Sequence, residues 1–580
     1  RSGLVTSERA HAVGGRQSRD DRPLLGWLAG YDRGWLRADL LAGLAVWALV
    51  VPQAIAYAAI AGLPPHAGLY TTFAGLIGYA LLGTSRQLVV SPTSSTAMIS
   101  ALLVAPLAVG SAEEYADLSA MLAIMLGVVF VLLGVWKMGF VSQFIATPVQ
   151  VGMIFGLGMT IIVGQLGKIL GVEVGEGTFV EQAAELIRNL DDTSGWTLAV
   201  GAGSLVALLA LQRVLPGVPA ALLVVTATIA LSYLLDLSNR GVAVVGEVSS
   251  SFPLPSIPTA SWDQFISLLP GVLVIAIIGY AESDTVAEQF ASEHRYAIKP
   301  NRELLALGAA NGLSGLFQGF ITGGGASQSA ANDRAGARTQ LAAFAVAILT
   351  LVTIVALLPI FEELPTAVLG AIVISAVLGF IRVREMKRIR DFRRAGFVLA
   401  MVALLGVLIL GVLPGLLIAI ALSLLLLLSR LSRPRDSLLG RLAGLEAYVD
   451  IERNPDSASD PGLLIYRLNA PLLFVNATTL RERLHQKIDA APEPISVVIV
   501  DLGFSDTIDI KATDTLLTLR DELGDSGIQF WLAEVHGGVI EMLLRDDHAS
   551  QLTSAHCYRT VGEAVQAYRR EFAPDLRPQA

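Results

Sequence analysis

Two short polar stretches carry the side chains best suited to chemistry. "VSPTSST" runs from Val90 to Thr96, and "TGGGASQSAAND" runs from Thr322 to Asp333; both interrupt apolar sequence. Each places proline or glycine ahead of hydroxyl and amide side chains, a pattern typical of helix starts. Because a helix N-terminus exposes backbone N–H groups and a positive dipole end, the two stretches indicate anion binding.

Both helices are expected to begin near mid-membrane. In the first stretch Leu88 to Val90 is expected to be extended, with Ser91 as N-cap and Pro92 as the first helical residue. In the second, residues 320–322 are extended and the helix starts at about Ala326 after a glycine turn. Irregular backbone at this depth must be buried in protein or line a wet cavity. The donors expected there are Thr93, Ser94, Ser95, Gly325, Ala326, Ser327, Gln328 and Ser329.

Other polar residues lie on neighbouring segments. Gln53 and Tyr57 are four residues apart in "VPQAIAYA" and therefore share one helix face. Glu282 lies in the eighth apolar segment, where an acid costs roughly 2.5 to 3.5 kcal/mol on insertion scales and by default suggests a proton or cation site. The alternative is a carboxylate close to the membrane interface, which is favoured for Asp284 on another helix face.

The elements that position these residues are apolar segments long enough to span a bilayer. The chain has 580 residues, 53% of them hydrophobic and 16% charged, which indicates a polytopic membrane protein. About fourteen segments are predicted. They start near Leu40, Leu69, Ser94, Leu118, Phe144, Trp196, Pro219, Phe265, Leu304, Ala326, Gln340, Pro365, Gly396 and Pro414.

Loop charges predict the orientation of these segments. Arg86, Lys137, Arg213 and the basic run from Arg382 fall on one side, whereas acids such as Glu113 fall on the other. By the positive-inside rule both termini are cytoplasmic. The third and tenth segments then run in opposite directions and lie seven segments apart, which indicates two inverted halves of seven with facing half-helix N-termini.

Composition excludes several classes of function. The single cysteine, Cys557, rules out an internal disulfide and a cysteine-based zinc site. The sequence lacks both a P-loop motif, which disfavours an ATP-driven pump, and a nucleic-acid-binding footprint. Neither a cofactor, a bound metal nor an enzyme activity is predicted.

The C-terminal part alternates strands and helices, which predicts a small α/β domain with a mainly parallel sheet. "GLLIYRL", "PLLFVNA", "ISVVIVDL" and "IQFWLAE" are predicted strands. The predicted divisions are a cytoplasmic tail at 1–35, a transmembrane anion transport domain at 36–429, a basic linker at 430–445 and the α/β domain at 446–575. Asp506 or Asp509 is expected to cap the helix that follows the loop "SDTIDIKATD".

The region "PPHAGLYTTFAGLIGYALLGTSRQLVVSPTSST" resembles the signature region of the SulP, or sulfate permease, anion transporters. "KPNRELLALGAANGLSGLF" and "SQSAANDRAGARTQLA" resemble the ninth and tenth helices of that family, and the α/β domain resembles its STAS module. The resemblance implies a uracil-permease-like fold with core and gate subdomains, a homodimer and elevator-like alternating access. It also implies a site at Gln53, Tyr57, Pro92 to Ser94 and Ala326 to Gln328, with Glu282 at the acid linked to proton or sodium coupling.

Three departures from the family pattern bear on function. Gln328 stands where many members have arginine, which weakens the case for strong dianion binding. Val286 stands where sodium-coupled bicarbonate members have threonine, which favours proton coupling or exchange. Ile510 follows the loop Asp509, where stand-alone STAS antagonists carry a phosphorylatable serine, so a serine switch is not expected.

We therefore expect secondary active transport of sulfate or a similar oxyanion across the plasma (inner) membrane by proton-coupled symport or exchange, with Na⁺ as the alternative coupling ion. Bicarbonate and then dicarboxylates are the next candidate substrates, and a channel or uncoupled exchanger is a further alternative. A membrane scaffold that recruits a cytoplasmic protein through STAS is the alternative from another class. It would leave the polar half-helices unexplained.

Overall fold

The computed structural model describes residues 24–108, 111–140, 146–175, 177–215, 220–246, 254–378, 381, 383–442, 447–554 and 556–572. The chain divides into two compact units, Arg1–Ser423 and Leu424–Ala580. Of the predicted tail at 1–35, only residues from 24 onward are described.

The first unit is helical. Its helices, the last of which extends past Ser423, are α1 (Leu36–Ile60), α2 (Pro65–Leu82), α3 (Ser94–Val104), α4 (Ala112–Val135), α5 (Thr147–Leu170), α6 (Phe179–Arg188), α7 (Gly195–Val214), α8 (Ala220–Leu235), α9 (Trp262–Glu293), α10 (Pro300–Leu316), α11 (Ala326–Arg334), α12 (Leu341–Val352), α13 (Thr366–Leu378), α14 (Val383–Phe392), α15 (Arg394–Leu410) and α16 (Val412–Ser432).

Each predicted apolar segment corresponds to one of these helices. The predicted starts at Phe144 and Pro219 lie outside the described residues, as does Arg382; the helices there are described from Thr147 and Ala220. Seven helices of the described chain are long and apolar enough to cross a membrane, and several shorter ones are apolar. The short helices α6 and α14 are additional and fall in the charged loops.

The two broken segments meet in a short antiparallel ladder. Strand β1 (Val90–Ser91) pairs with β2 (Gly323–Gly324), with Val90 opposite Gly324. The backbone N–H groups of this irregular stretch therefore find partners away from lipid. The expectation that Ser91 is the N-cap was wrong. Ser91 lies in the strand, and Thr93 caps α3, which starts at Ser94.

Close backbone approach sets the spacing of several helices in this unit. A Cβ on Gly68 of α2 would lie 2.0 Å from the carbonyl oxygen of Ala54 in α1, and one on Gly152 of α5 would lie 2.0 Å from the carbonyl oxygen of Ala400 in α15. Only glycine allows these contacts, so small residues set the helix spacing here.

The second unit is an α/β domain. Its strands are β3 (Asp436–Leu442), β4 (Tyr448–Asp450), β5 (Ser457–Ala458), β6 (Leu463–Leu468), β7 (Val497–Asp501), β8 (Gln529–Ala533) and β9 (Cys557–Tyr558), and its helices are α17 (Ala477–Asp489), α18 (Ile510–Asp525), α19 (Gly537–Leu543), α20 (Gln551–Ser554) and α21 (Val561–Glu571). The sheet order is β4-β3-β6-β7-β8-β9, with β5 paired to β3. Strands β6 to β9 are parallel, as predicted. Separate hydrophobic clusters include residues of α17 and α18 and residues of α21.

Two sequence expectations for this unit need correction. "PLLFVNA" is not a strand, because Leu472 N donates to Ser505 Oγ at 2.9 Å and Leu473 N to Asn476 Oδ1 at 2.9 Å instead of to a neighbouring strand. The predicted linker at 430–445 contains β3, which pairs antiparallel with β6; residues 443–446 are outside the described chain.

Candidate functional site

The N-termini of α3 and α11 differ in how they are capped. Thr93 Oγ1 accepts a hydrogen bond from Thr96 N at 3.2 Å, and Thr93 N donates to Thr96 Oγ1 at 3.0 Å, which completes a capping box on α3. Helix α11 has Gly325 at its N-cap and so receives no side-chain cap. Its first-turn amides are therefore left for a ligand, as are those of Ser94 and Ser95 in α3, which the Thr93 cap does not bind.

Gln328 joins the two broken segments to α1. Its side chain is 2% exposed. Its Oε1 accepts from Ser91 Oγ at 2.7 Å, and its Nε2 donates to Gln53 Oε1 at 3.0 Å and to the carbonyl oxygen of Pro92 at 3.3 Å. The amide that replaces the family arginine therefore bridges protein groups.

The half-helix N-termini border a small space, which we call the central cavity. Its volume is about 30 Å³, room for one or two water molecules. The predicted site residues that line it are Tyr57, Thr93, Ser94, Ser95, Glu282, Gly325, Ala326, Ser327 and Gln328. Gln53 and Pro92 are not in the lining and lie behind it, in contact with Gln328.

Glu282 is the charged side chain among the described residues that line the central cavity. Ser95 Oγ lies 3.0 Å from its Oε2 and 3.2 Å from its Oε1. A carboxyl group in this position can exchange a proton with the cavity, and Ser95 links it to the N-terminal turn of α3.

Sequence reasoning missed the opposite wall of the central cavity. Residues of α5 and α13 form it with an apolar surface, and these are Ile154, Leu157, Gly158, Ile161 and Val377. In sequence they look like ordinary lipid-facing positions, and the small Gly158 is the one signal of a special role.

Two buried acids that the sequence did not single out hold the loops next to the half-helices. Asp39 Oδ1 accepts a hydrogen bond at 2.7 Å from Arg338 N, in the loop that follows α11. Glu303 Oε2 accepts a hydrogen bond at 2.6 Å from Tyr79 OH. Its Oε1 accepts one at 2.7 Å from Thr84 N, in the loop that precedes α3. Both carboxylates accept several hydrogen bonds, so they act as fixed anchors.

In the second unit, Asp509 caps α18 as expected. Its Oδ1 accepts from Ala512 N at 2.9 Å and its Oδ2 from Phe474 N at 2.5 Å. Over the described ranges of both units, no cluster of three or more His, Cys, Asp or Glu side chains could hold a metal ion.

A helical membrane unit with two opposed half-helices, followed by an α/β domain, defines a class of membrane transporters. The sulfate permease family matches residues 36–403, and the STAS domain matches residues 454–564. The chain belongs to the sulfate permease family and is an anion transporter.

Relatives and solved structures agree with this assignment. A probable sulfate transporter of Mycobacterium tuberculosis is 37% identical over 552 residues, which cover 94% of this chain and 98% of that protein. High affinity sulfate transporter 1 of Stylosanthes hamata is 29% identical over 576 residues, 94% of this chain and 86% of that protein.

Two solved structures share the fold. Murine Solute Carrier 26 family member A9, an anion transporter in the inward-facing state, superposes with a TM-score of 0.87 at 22% identity over 98% of this chain and 100% of its own. The transmembrane domain of a cyanobacterium bicarbonate transporter superposes with a TM-score of 0.60 at 21% identity over 67% of this chain and 98% of its own.

Proposed function

We propose that this protein is a proton-coupled secondary transporter of sulfate or a similar inorganic oxyanion. The anion binds in the central cavity at the N-termini of α3 and α11, and Glu282 carries the proton. Alternating access is elevator-like, in a homodimer of the plasma (inner) membrane with both termini cytoplasmic. The STAS domain offers a surface for a cytoplasmic protein partner.

The observation that carries the proposal is the meeting of two half-helices at one cavity. Uncapped amides of α11 and hydroxyl groups of Thr93, Ser94 and Ser327 border the same space. A dipole end is worth up to about 2 kcal/mol for an anion in a partly buried geometry, so the hydroxyl donors must add to it.

The position of Glu282 supports proton coupling. An ionised carboxylate and an anion about 4 Å apart repel by roughly 4 kcal/mol at an effective dielectric constant of about 20. Protonation of Glu282 removes this repulsion, so anion and proton bind together. Val286, where sodium-coupled relatives have threonine, supports a proton over Na⁺ as the coupling ion.

Sulfate is favoured by the names of the relatives that match nearly the whole chain. Bicarbonate is the second candidate, because the described lining of the central cavity carries no cation and a monoanion needs less positive charge. Dicarboxylates rank third.

The proposal is tested by uptake into proteoliposomes. Radiolabelled sulfate, bicarbonate and fumarate are offered separately, with pH and sodium gradients imposed one at a time. A one-unit pH gradient supplies about 1.4 kcal/mol per proton, enough for about tenfold accumulation. We expect accumulation driven by an inward proton gradient and unaffected by sodium.

Glu282→Gln should abolish the response to the pH gradient while leaving anion exchange measurable. Glu288→Gln, at an exposed position of the same helix, is the matched control and should behave as the unmodified protein. Accumulation by Glu282→Gln that still follows the pH gradient would remove Glu282 from the coupling step. A folded protein that moves none of the three anions would overturn the proposal as a whole.

A further inference from the structure

A second polar cavity lies beside the central cavity, where α5 and the α6 region meet α1 and α3. We call it the α5–α6 cavity. Its volume is about 230 Å³, several times that of the central cavity. Its polar side chains among the described residues are Thr160, Gln165, Lys168 and Gln182.

One face of α5 connects the two cavities. Ile161 lines both, and Gly164, Gln165 and Lys168 continue the same stripe at intervals of three or four residues. At 1.5 Å per residue, Lys168 is about 10 Å further along the helix axis than Ile161. Lys168 therefore lies on the face of α5 that also borders the central cavity.

Within the part of the chain that the structure describes, Lys168 forms no ion pair. Two carboxylates nearby in sequence are committed elsewhere, and Glu176 lies outside the described residues. Glu185 Oε2 accepts from Gly175 N at 2.6 Å, and Glu181 Oε2 accepts from Thr178 N at 2.7 Å and from Thr178 Oγ1 at 3.0 Å. The ammonium group is thus a fixed cation without a described protein counter-ion.

Two side-chain amides also line the cavity. Gln165 is 7% exposed, and its Oε1 has no hydrogen-bond partner among the described residues. Because the unpartnered Oε1 is the fully buried atom, Nε2 is the end of the amide that is left to donate to a ligand. Gln182 Nε2 donates to the carbonyl oxygen of Gly177 at 3.2 Å, and a Cβ on Gly164 would lie 3.1 Å from Gln182 Oε1, so Gly164 leaves the space for this amide.

We propose that the α5–α6 cavity is a second anion-binding site, in which Lys168 and Gln165 hold a small inorganic oxyanion on its way to or from the central cavity. The inference rests on the proposed transport function, and with cytoplasmic termini it places the site on the outer side. Because the described lining of the central cavity lacks a cation, Lys168 supplies attraction that the central cavity does not.

The test places opposite charges at the same position. Cys557 is the single cysteine, so Cys557→Ser gives a cysteine-free background in which Lys168→Cys is labelled from outside. An aminoethyl methanethiosulfonate reagent restores an ammonium group, and a sulfonatoethyl reagent adds an anion of similar size. Sulfate and bicarbonate uptake into proteoliposomes is measured over a range of concentrations.

Unlabelled Lys168→Cys should raise KM about tenfold, the loss expected for one charge-assisted hydrogen bond. The aminoethyl label should bring KM back to within about threefold of the background protein. The sulfonatoethyl label should leave KM raised. Vmax should change little in the unlabelled protein and with either label. Since both labels are attached to the same folded protein, misfolding cannot produce this contrast. Equal KM values for the two labels, or no labelling from outside, would overturn the second site.

Failure of the transport function gives a different result. The Cys557→Ser background would then move no anion. Anion binding at the second site is in that case measured by calorimetric titration of sulfate and bicarbonate into the purified full chain. Lys168→Gln should weaken binding there by about tenfold, and Lys168→Arg should retain it. Unchanged binding in Lys168→Gln would overturn the site.

Discussion

Replacement of Gln328 by leucine tests the bridge between the two broken segments. Leucine has nearly the same size and no polar atoms. The change removes the hydrogen bonds from Ser91 Oγ and to Gln53 Oε1 and the Pro92 carbonyl oxygen, all made by a side chain that is 2% exposed. The ladder of β1 and β2 keeps its backbone bonds, including Gly325 N to Val89 O at 3.0 Å. We therefore expect a folded protein with a loosened site.

The free energy that the substitution is expected to lose follows from these contacts. A net hydrogen bond contributes about 0.5 to 1.5 kcal/mol, and side-chain hydrogen bonds in membrane proteins average about 0.6 kcal/mol in double-mutant cycles. Three such bonds give a loss of about 2 kcal/mol. If this free energy is lost from the anion-binding geometry, affinity for the anion falls by roughly thirtyfold.

A double-mutant cycle with Gln53→Leu isolates one of the bonds. Unfolding free energies and KM for uptake are measured for the two single variants and the double variant, with Gln289→Leu, at an exposed position of α9, as control. We expect a coupling energy between about 0.6 and 1.7 kcal/mol for Gln53 and Gln328. A coupling energy near zero, with KM unchanged in Gln328→Leu, would show that Gln328 does not hold the site together.

Two further predictions concern helix spacing and the second unit. Gly152→Ala should destabilise the membrane unit by about 2 kcal/mol or more, because its Cβ would lie 2.0 Å from a carbonyl oxygen of α15. Gly203→Ala is the control and should be tolerated, because its Cβ would have no atom within 4 Å. Equal thermal stability of the two variants would contradict the prediction. In the second unit, hydrogen bonds from Arg481 and His485 lower the pKa of Glu522. The stabilisation is therefore present above the ordinary carboxyl pKa and is lost as the pH falls through the lowered one. The pair is partly exposed, so Glu522→Gln should reduce hydrogen-exchange protection of Ala477–Asp489 by less than about 1 kcal/mol at pH 7. The difference should shrink below about pH 4, and one that persists there would contradict the ion pair as its cause.

The sequence predicts the features that depend on local chemistry. Apolar length marks the spans, and glycine or proline followed by hydroxyl residues marks the two half-helices. Loop charges give their opposite directions. Even here the cap was misassigned, since Ser91 and Thr93 are both good N-caps and only the pairing of Ser91 with Gly323 decides between them.

Contacts between residues that are far apart in the sequence could not be predicted from local patterns. The bond between Gln53 and Gln328 joins positions 275 residues apart, and the contact of Ser95 with Glu282 joins positions 187 apart. Strand β3 was hidden because its charged sequence, "DSLLGRL", resembles a juxtamembrane linker. Its burial depends on β6, which follows it in the chain.

The charges around the central cavity limit what it can bind. Each half-helix N-terminus counts as roughly half a positive charge, and Glu282 is the charged side chain among the described residues of the lining. With Glu282 protonated, the two ends together balance about one negative charge; with Glu282 ionised, they balance none. Gln328 adds no charge and uses its amide on protein groups. A dianion in the cavity would therefore remain underneutralised even with the proton bound. We therefore predict that sulfate transport depends more steeply on Glu282 protonation than bicarbonate transport does, since the carboxylate repels a dianion about twice as strongly as a monoanion at the same distance.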